Sequence, residues 1–237
     1  MLRTELYADP HNQFLHDLIL ESCHRNATKT AIVDTSCGRR LTFSEYAEIV
    51  ESAARGFIAA GVKPGDVVAI FLPNSWEFCV AFHASQLAGA IPTLLNPTYR
   101  EREVRYQLEN SGAVVLITDC ANINGIDLGG LHSLRRVYTT RKPAAGAEPF
   151  ANLLSPASSS FPKSQQSSQQ ALAALPYSSG TTGLPKGVMS PWASAAQPGI
   201  MRDRFFNATG FEIPSQTVVL SRSRSAKEYV DGSVLRR

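Results

Sequence analysis

The chain has 237 residues, of which 43% are apolar, and a formal net charge of +3. That is enough apolar sequence for one large or two small domains with a real core. So mild a charge, with no block of like-charged residues, excludes a nucleic-acid-binding tail.

Taken in order, Asp9-Pro10 pairs a capping side chain with a proline suited to the first helical position. Phe14, Leu15, Leu18 and Ile19 then share one face, which predicts an amphipathic helix to about Cys23. Residues 31–34 and 40–43 read as two short strands around a Cys37-Gly38 turn. Thr42 and Glu45 stand at capping-box spacing, and Tyr46, Ile49, Val50, Ala53 and Phe57 repeat at helical spacing behind them. Gly61 should end that helix, and Pro64-Gly65 should turn the chain.

Residues 67–72 form a continuous apolar run, as expected of a strand buried on both faces. Residues 76–88 read as a largely buried helix ended by Gly89, and 90–94 as a second strand. Thr98 and Glu101 repeat the capping-box spacing ahead of a charged helix over 101–110, with Val104 and Leu108 inward. After a Ser111-Gly112 turn, 113–118 is a third apolar strand. Strands alternating with helices over short connections predict an α/β fold built on a largely parallel sheet with flanking helices.

From Pro143 to Gln170 the composition turns to Pro, Ala, Ser and Gln, which predicts a flexible linker. Residues 171–177 recover as a strand. It leads into Tyr177-Ser-Ser-Gly-Thr-Thr-Gly-Leu-Pro-Lys-Gly187, where four hydroxyl residues, three glycines and a lysine crowd into ten positions after the tyrosine. A turn needs one or two glycines. Hydroxyls alternating with bare backbone amides and one cationic side chain suit a polyphosphate. The bland alternative is a Gly/Ser-rich surface loop. A Walker A loop is excluded by spacing, because the residue five after Gly180 is Pro185 and Lys186 is followed by Gly187.

Residues 178–187 resemble the phosphate-binding signature of the adenylate-forming enzymes: acyl-CoA synthetases, 4-coumarate–CoA ligases, luciferases and peptide-synthetase adenylation domains. Further pieces in family order are Gly61-x-x-x-Gly65-Asp66, Leu72-Pro73-Asn74-Ser75, Ala88-Gly89-Ala90, Leu95-Asn96-Pro97-Thr98-Tyr99 and Leu108-x-x-Ser111-Gly112. The resemblance runs from about Thr28 to Met189 and implies a partial N-terminal domain of the adenylate-forming fold. Beyond Met189 the family's His-containing helix is replaced by Ser190-Pro191-Trp192-Ala193-Ser194. Likeness returns over 203–220 and stops before a tail of 221–237, expected to be disordered and outside the family pattern.

By that resemblance the domain plan is an N-terminal α/β subdomain (1–142), the linker (143–170), the strand, loop and following segment (171–220), and the tail. Ser178, Ser179, Gly180, Thr181, Thr182 and Lys186 would bind the β- and γ-phosphates of ATP, with Mg²⁺ as companion. No catalytic residue and no protein metal ligand is assigned. The implied activity is AMP-forming carboxylate–CoA ligation on a fatty or aromatic acid, with coenzyme A as acyl acceptor. This chain is expected to be an inactive fragment; the alternative is a non-catalytic nucleotide-binding or regulatory partner module.

The cysteines Cys23, Cys37, Cys79 and Cys120 form no CxxC pair, and the five histidines show no metal spacing. Two of the cysteines sit in apolar surroundings, and His83 reads as a satisfied core or surface residue. Reduced thiols and the lack of a signal peptide point to an intracellular, cytoplasmic setting, with no peroxisomal address at Val234-Leu235-Arg236-Arg237. The apolar region 78–95 is broken by His83, Ser85, Gln86 and Pro92, so no transmembrane segment is expected.

Overall fold

The computed structural model describes residues 14–154, 161, 171–178, 186–191 and 218–220. Its centre is a five-stranded sheet in the order β4-β3-β5-β6-β7. The strands are β3 (Val67–Phe71), β4 (Ile91–Leu94), β5 (Ala113–Asp119), β6 (Arg136–Thr140) and β7 (Glu148–Pro149), and every neighbouring pair is parallel. The apolar run at β3 is buried on both faces, because alternate side chains leave a strand in opposite directions. Val68 and Ile70 join the core on one face; Ala69 and Phe71 join the core on the other.

Three helices cover those faces. On one side lie α2 (Phe43–Ala59) and α3 (Trp76–Leu87). On the other lies α4 (Glu101–Ser111), with Val104 and Leu108 inward. The Thr42–Glu45 capping box opens α2 with both reciprocal bonds present. Ser75 caps α3 by accepting from the Phe78 N–H at 3.2 Å. Helix α3 is buried from Trp76 through Gln86, with no solvated face over that span. It is held between α2, the sheet and two elements that precede the sheet in the chain, α1 (Leu15–Arg25) and β1 (Thr30–Asp34).

Strand β1 pairs antiparallel with β2 (Arg39–Thr42), as the turn at Cys37-Gly38 predicts, and parallel with β12 (Val218–Leu220). The pairing Ile32↔Val218 closes a contact between positions nearly the whole chain apart. No local pattern in the sequence announces that pairing.

A buried carboxylate knits these parts together. Asp34, at the end of β1, accepts from the Ser36 N–H at 2.9 Å, from the Ser36 hydroxyl at 2.5 Å and from the Trp76 N–H at 3.1 Å. Arg141, just past β6, approaches Asp34 at 3.3 Å and Glu77 at 3.6 Å. Arg141 takes φ +65°, the one non-glycine positive φ among the described residues, and that conformation stands where it is held by these pairs. Burial pushes the Asp34 carboxyl up, but the hydrogen bonds from Ser36 and Trp76 and the Arg141 charge outweigh it and hold it below its ordinary value.

Two expectations are corrected. Helix α4 begins at Glu101 with Arg100 as its cap, and Glu103, not Glu101, reaches back to the Arg100 N–H at 3.1 Å. Thr98 belongs to the turn before it, where its N–H and hydroxyl bond Asn96 Oδ1 at 3.0 and 2.9 Å. Asn96 competes for the capping role because an Asx side chain closes a turn on the residue two ahead. The second correction lies in the expected linker. Its first part forms β7 and a 3-10 helix, Phe150–Leu154, with Phe150 and Leu153 buried. The ring of Phe150 meets Trp76 edge-on, and Leu154 O accepts from Ser52 of α2 at 2.8 Å. Residues 155–160 and 162–170, the Asp9-Pro10 helix opening and the 221–237 tail lie outside the described residues.

The described cysteines Cys23 and Cys79 are buried, and burial raises both thiols. Among the described residues no helix is long and apolar enough to cross a membrane, and no group of three or more His, Cys, Asp or Glu side chains could hold a metal ion.

Two predictions arise from this packing. A Cβ on Gly56 of α2 would sit 2.2 Å from the Leu153 carbonyl oxygen, so Gly56→Ala must push the 3-10 helix off α2. A loss of about 1–3 kcal/mol in urea unfolding is expected, the usual cost of overpacking; an unchanged midpoint would show that this contact does not constrain the fold.

The second concerns pH. His83 of α3 is buried, with Nδ1 2.5 Å from the Tyr46 hydroxyl of α2, which also reaches the Cys79 carbonyl at 3.1 Å. Burial, with a smaller contribution from His16 of α1, lowers its pKa from 6.5 to about 3. His16 is itself lowered by burial, against the opposing pull of Asp17. The fold therefore favours neutral histidine, so stability is full above 6.5 and declines as pH falls from 6.5 toward 3. Unfolding at about pH 5 against about pH 7 should show this loss before the carboxylates contribute, and His83→Gln should shrink it. A wild-type midpoint equal at both pH values would contradict the assignment.

Candidate functional site

The residues that flank the glycine- and hydroxyl-rich stretch form a small antiparallel arm beside edge strand β4. The arm rises through β8 (Leu172–Ala174) and β9 (Tyr177–Ser178) and returns through β10 (Lys186–Gly187) and β11 (Ser190–Pro191). Strand β9 pairs with β10 in the register Ser178↔Lys186 and Tyr177↔Gly187, and β8 pairs with β11. Between them the Val188 N–H donates to the Pro176 carbonyl at 2.8 Å.

Two of the six candidate residues are described, and the arm sets them opposite one another: Ser178 on the outgoing strand and Lys186 on the return. Lys186 is exposed. Ser179, Gly180, Thr181 and Thr182 lie outside the described residues.

The base of the arm is fixed by side chains from three elements. The Tyr177 hydroxyl donates to Asn110 Oδ1 at the end of α4, at 2.6 Å. Burial, with Tyr106 as the smaller cause, raises the Tyr177 pKa, so the phenol keeps the proton it donates. Gly187 lies against that ring: a Cβ there would meet Tyr177 Cζ at 3.2 Å. A side chain at 187 would push either the ring from Asn110 or the return strand from β9. Deeper in, Gln86 of α3 donates to the Ala173 carbonyl at 2.8 Å, and Thr93 of β4 donates to the Leu175 carbonyl at 2.6 Å.

The reading of one strand over 171–177 thus resolves into two pieces split at Leu175-Pro176. The return strands were missed altogether. Pro185, Gly187 and Pro191 read as punctuation, and Val188-Met189 is too short an apolar run to declare a strand. Gln86, Thr93 and Asn110 were missed because the partner of such a polar residue shows only in three dimensions. Arg141 was missed for the same reason; its signal, a positive φ, is a property of the backbone.

The model for the family described as AMP-binding enzyme matches residues 19–221. The chain is 37% identical over 185 residues to 4-coumarate–CoA ligase 5 of Oryza sativa subsp. japonica, covering 77% of this chain and 33% of that protein. With 4-coumarate–CoA ligase 3 of Arabidopsis thaliana the identity is 33% over 181 residues, covering 76% and 32%. The chain therefore spans about a third of the length of the curated relatives it matches. Among solved structures, the anthranilate CoA ligase AuaEII in complex with anthranoyl-AMP superposes with a TM-score of 0.71 at 25% identity, over 78% of this chain and 36% of that one. The apo structure of MbtA from Mycobacterium smegmatis gives 0.75 at 24%, over 92% and 45%, a likeness of fold.

Removing the latch at the arm's base should loosen it without disturbing the sheet. For Tyr177→Phe we expect a stability loss of about 0.5–1.5 kcal/mol and faster hydrogen exchange at the amides of 177, 178 and 186–188. Unchanged exchange there would show that the Asn110 bond does not hold the arm.

Proposed function

Since this chain belongs to the AMP-binding enzyme family, we propose that its arm carries the nucleotide-phosphate loop of an AMP-forming carboxylate–CoA ligase. One observation carries the reading: Lys186 stands directly across from Ser178, at the two ends of a loop that holds the remaining hydroxyls and glycines. In this reading Ser178, Ser179, Thr181 and Thr182 offer hydroxyls, Gly180 offers an unobstructed amide, and Lys186 offers a point charge to the β- and γ-phosphates of ATP. The described residues include no acidic cluster fit for a metal. A magnesium ion would accompany the nucleotide, held by the phosphates and neutralising their charge.

The reaction is a displacement at phosphorus. A substrate carboxylate oxygen bonds the α-phosphorus of ATP, the bond to the bridging oxygen breaks, and pyrophosphate leaves. A thiolate, that of coenzyme A, then takes the acyl group and AMP departs. What this chain's residues contribute is position and charge: they hold the leaving pyrophosphate in place and stabilise the charge it gains. The proposal covers a fatty or aromatic acid as the acyl donor, and the names 4-coumarate–CoA ligase and anthranilate CoA ligase support the aromatic choice. We further propose an intracellular, cytoplasmic setting, one that supplies ATP and coenzyme A.

For these 237 residues on their own, we propose phosphate binding without turnover, because they cover about a third of the relatives' length. MgATP titrated by calorimetry should bind weakly, and Lys186→Ala should reduce affinity roughly tenfold, the order expected for a charge-assisted bond. The thermal midpoint should stay unchanged, because Lys186 is exposed. ATP–pyrophosphate exchange with mixed aromatic and fatty acids should remain at background. Equal MgATP affinity in the wild type and the variant would overturn the phosphate reading, and exchange above background would show that the chain turns over by itself.

A further inference from the structure

The edge of the central sheet is defective where the arm leans on it. Strand β4 contains Pro92, and the Leu175 N–H donates to the Pro92 carbonyl at 2.9 Å. In a parallel pairing through that bond, the next rung runs from the N–H of residue 92 to the carbonyl of residue 173. Proline has no N–H, so this rung cannot form. The Ala173 carbonyl is nevertheless bonded: Gln86 Nε2 donates to it at 2.8 Å from helix α3. Ala173 is 0% exposed and Gln86 2%, so water is no substitute for that donor.

A second pair of side chains completes the repair. Gln107 of α4 donates to Thr93 Oγ1 at 2.9 Å and to the Leu94 carbonyl at 3.1 Å. Thr93, its oxygen thus occupied as an acceptor, turns its proton onto the Leu175 carbonyl at 2.6 Å. Thr93 and Gln107 are both 0% exposed. The amide oxygens of Gln86 and Gln107 are buried without a partner among the described residues, so both side chains are oriented by their donor ends. Turning either amide over would set oxygen against a carbonyl oxygen. A buried amide that leaves its own oxygen unsatisfied is costly, which marks its N–H contacts as the ones the site requires.

We propose that Gln86 is a positioning residue for the phosphate loop: its side-chain amide supplies the ladder donor that Pro92 removes. Together with the Gln107–Thr93 pair it fixes the segment 173–175 that leads into β9. Two carbonyls of that segment, Ala173 and Leu175, are thereby set before the chain reaches Ser178. The effect on nucleotide affinity rests on the phosphate reading of the loop; the effect on the strand does not.

The test is a cycle on the full chain with Gln86→Leu, Pro92→Ala and the double variant. It is read by hydrogen exchange at the amides of 172–175, 177 and 178 and by MgATP calorimetry. Gln86→Leu orphans the Ala173 carbonyl, so exchange at those amides should rise and MgATP affinity should fall roughly tenfold. Pro92→Ala restores the backbone N–H. In the Gln86→Leu background it should therefore recover both readouts, while alone it should change little. A general loss of packing at Gln86 would not be rescued by a substitution in a different element.

Protection in Gln86→Leu equal to wild type, or a double variant no better than Gln86→Leu, would overturn the proposal. Should Gln86→Leu fail to fold, a folded double variant supports the proposal and an unfolded one overturns it. If wild type does not bind MgATP, the phosphate reading fails, and the exchange cycle still decides the role of Gln86.

Discussion

Strand β3 is covered on both faces and paired on both edges, and from Val68 to Phe71 it is shut off from water. Each of its backbone groups must find a partner in β4 or β5, and each side chain must find a helix. That demand orders the rest. It places α2 and α3 on one face and α4 on the other, and it draws the connections into short turns such as that at Gly89, whose φ is +80° and where a Cβ would meet Pro64. Helix α3 bears the strongest consequence. It lies inside a shell of α1, α2, β1 and the sheet, so its polar residues, among them Glu77, His83, Ser85 and Gln86, are all buried.

Buried polar groups on that helix divide by task. Glu77 and the N-terminal amide of Trp76 join Asp34 and Arg141, tying the β1–β2 hairpin to the end of β6. Ser85 satisfies itself on the Ala81 carbonyl one turn back, at 2.6 Å. His83 faces Tyr46 across the α2 interface. Gln86 reaches out of the helix to the arm that carries the loop. One helix therefore connects the hairpin hub at its N-terminus to the β8–β11 arm at its C-terminus, and it does so through hydrogen bonds that low local dielectric makes strong when complete and costly when broken. The loop's base is positioned by the core rather than by its own short strands.

Much of the scaffold was legible from pattern. The continuous run at 67–72 and the helical spacing after Thr42 each reflect a single dominant force, burial, acting at one period, and both formed as read. The failures share a cause. Thr98 lost the capping role to Arg100 because Asn96 claimed it for a turn. Phe150 and Leu153 sit in a Pro/Ala-rich stretch that looks like linker, yet they plug the space beside Trp76 and α2. The return strands of the arm, with a proline in β11 and a glycine in β10, carry no period at all. In each case a contact that the pattern does not show, a side chain two residues back at Thr98 and a tertiary neighbour elsewhere, outweighed a local preference of about a kilocalorie or less.

The chemical character of the loop is a property of the sequence alone. Hydroxyls, glycines and a lysine in that order determine what the stretch can bind, because donor type and backbone freedom are written into residue identity. The sequence likewise determined the alternation of strand and helix, since burial at periods of 2 and 3.6 needs no knowledge of partners. Which strand lies beside which, that β12 closes on β1, that Lys186 stands opposite Ser178, and that a glutamine on α3 stands in for the amide missing at Pro92 were decided only by the tertiary structure. A hydrogen bond between residues 87 apart has no local signature, and its energy exists only once the chain has brought both ends into the same dry space.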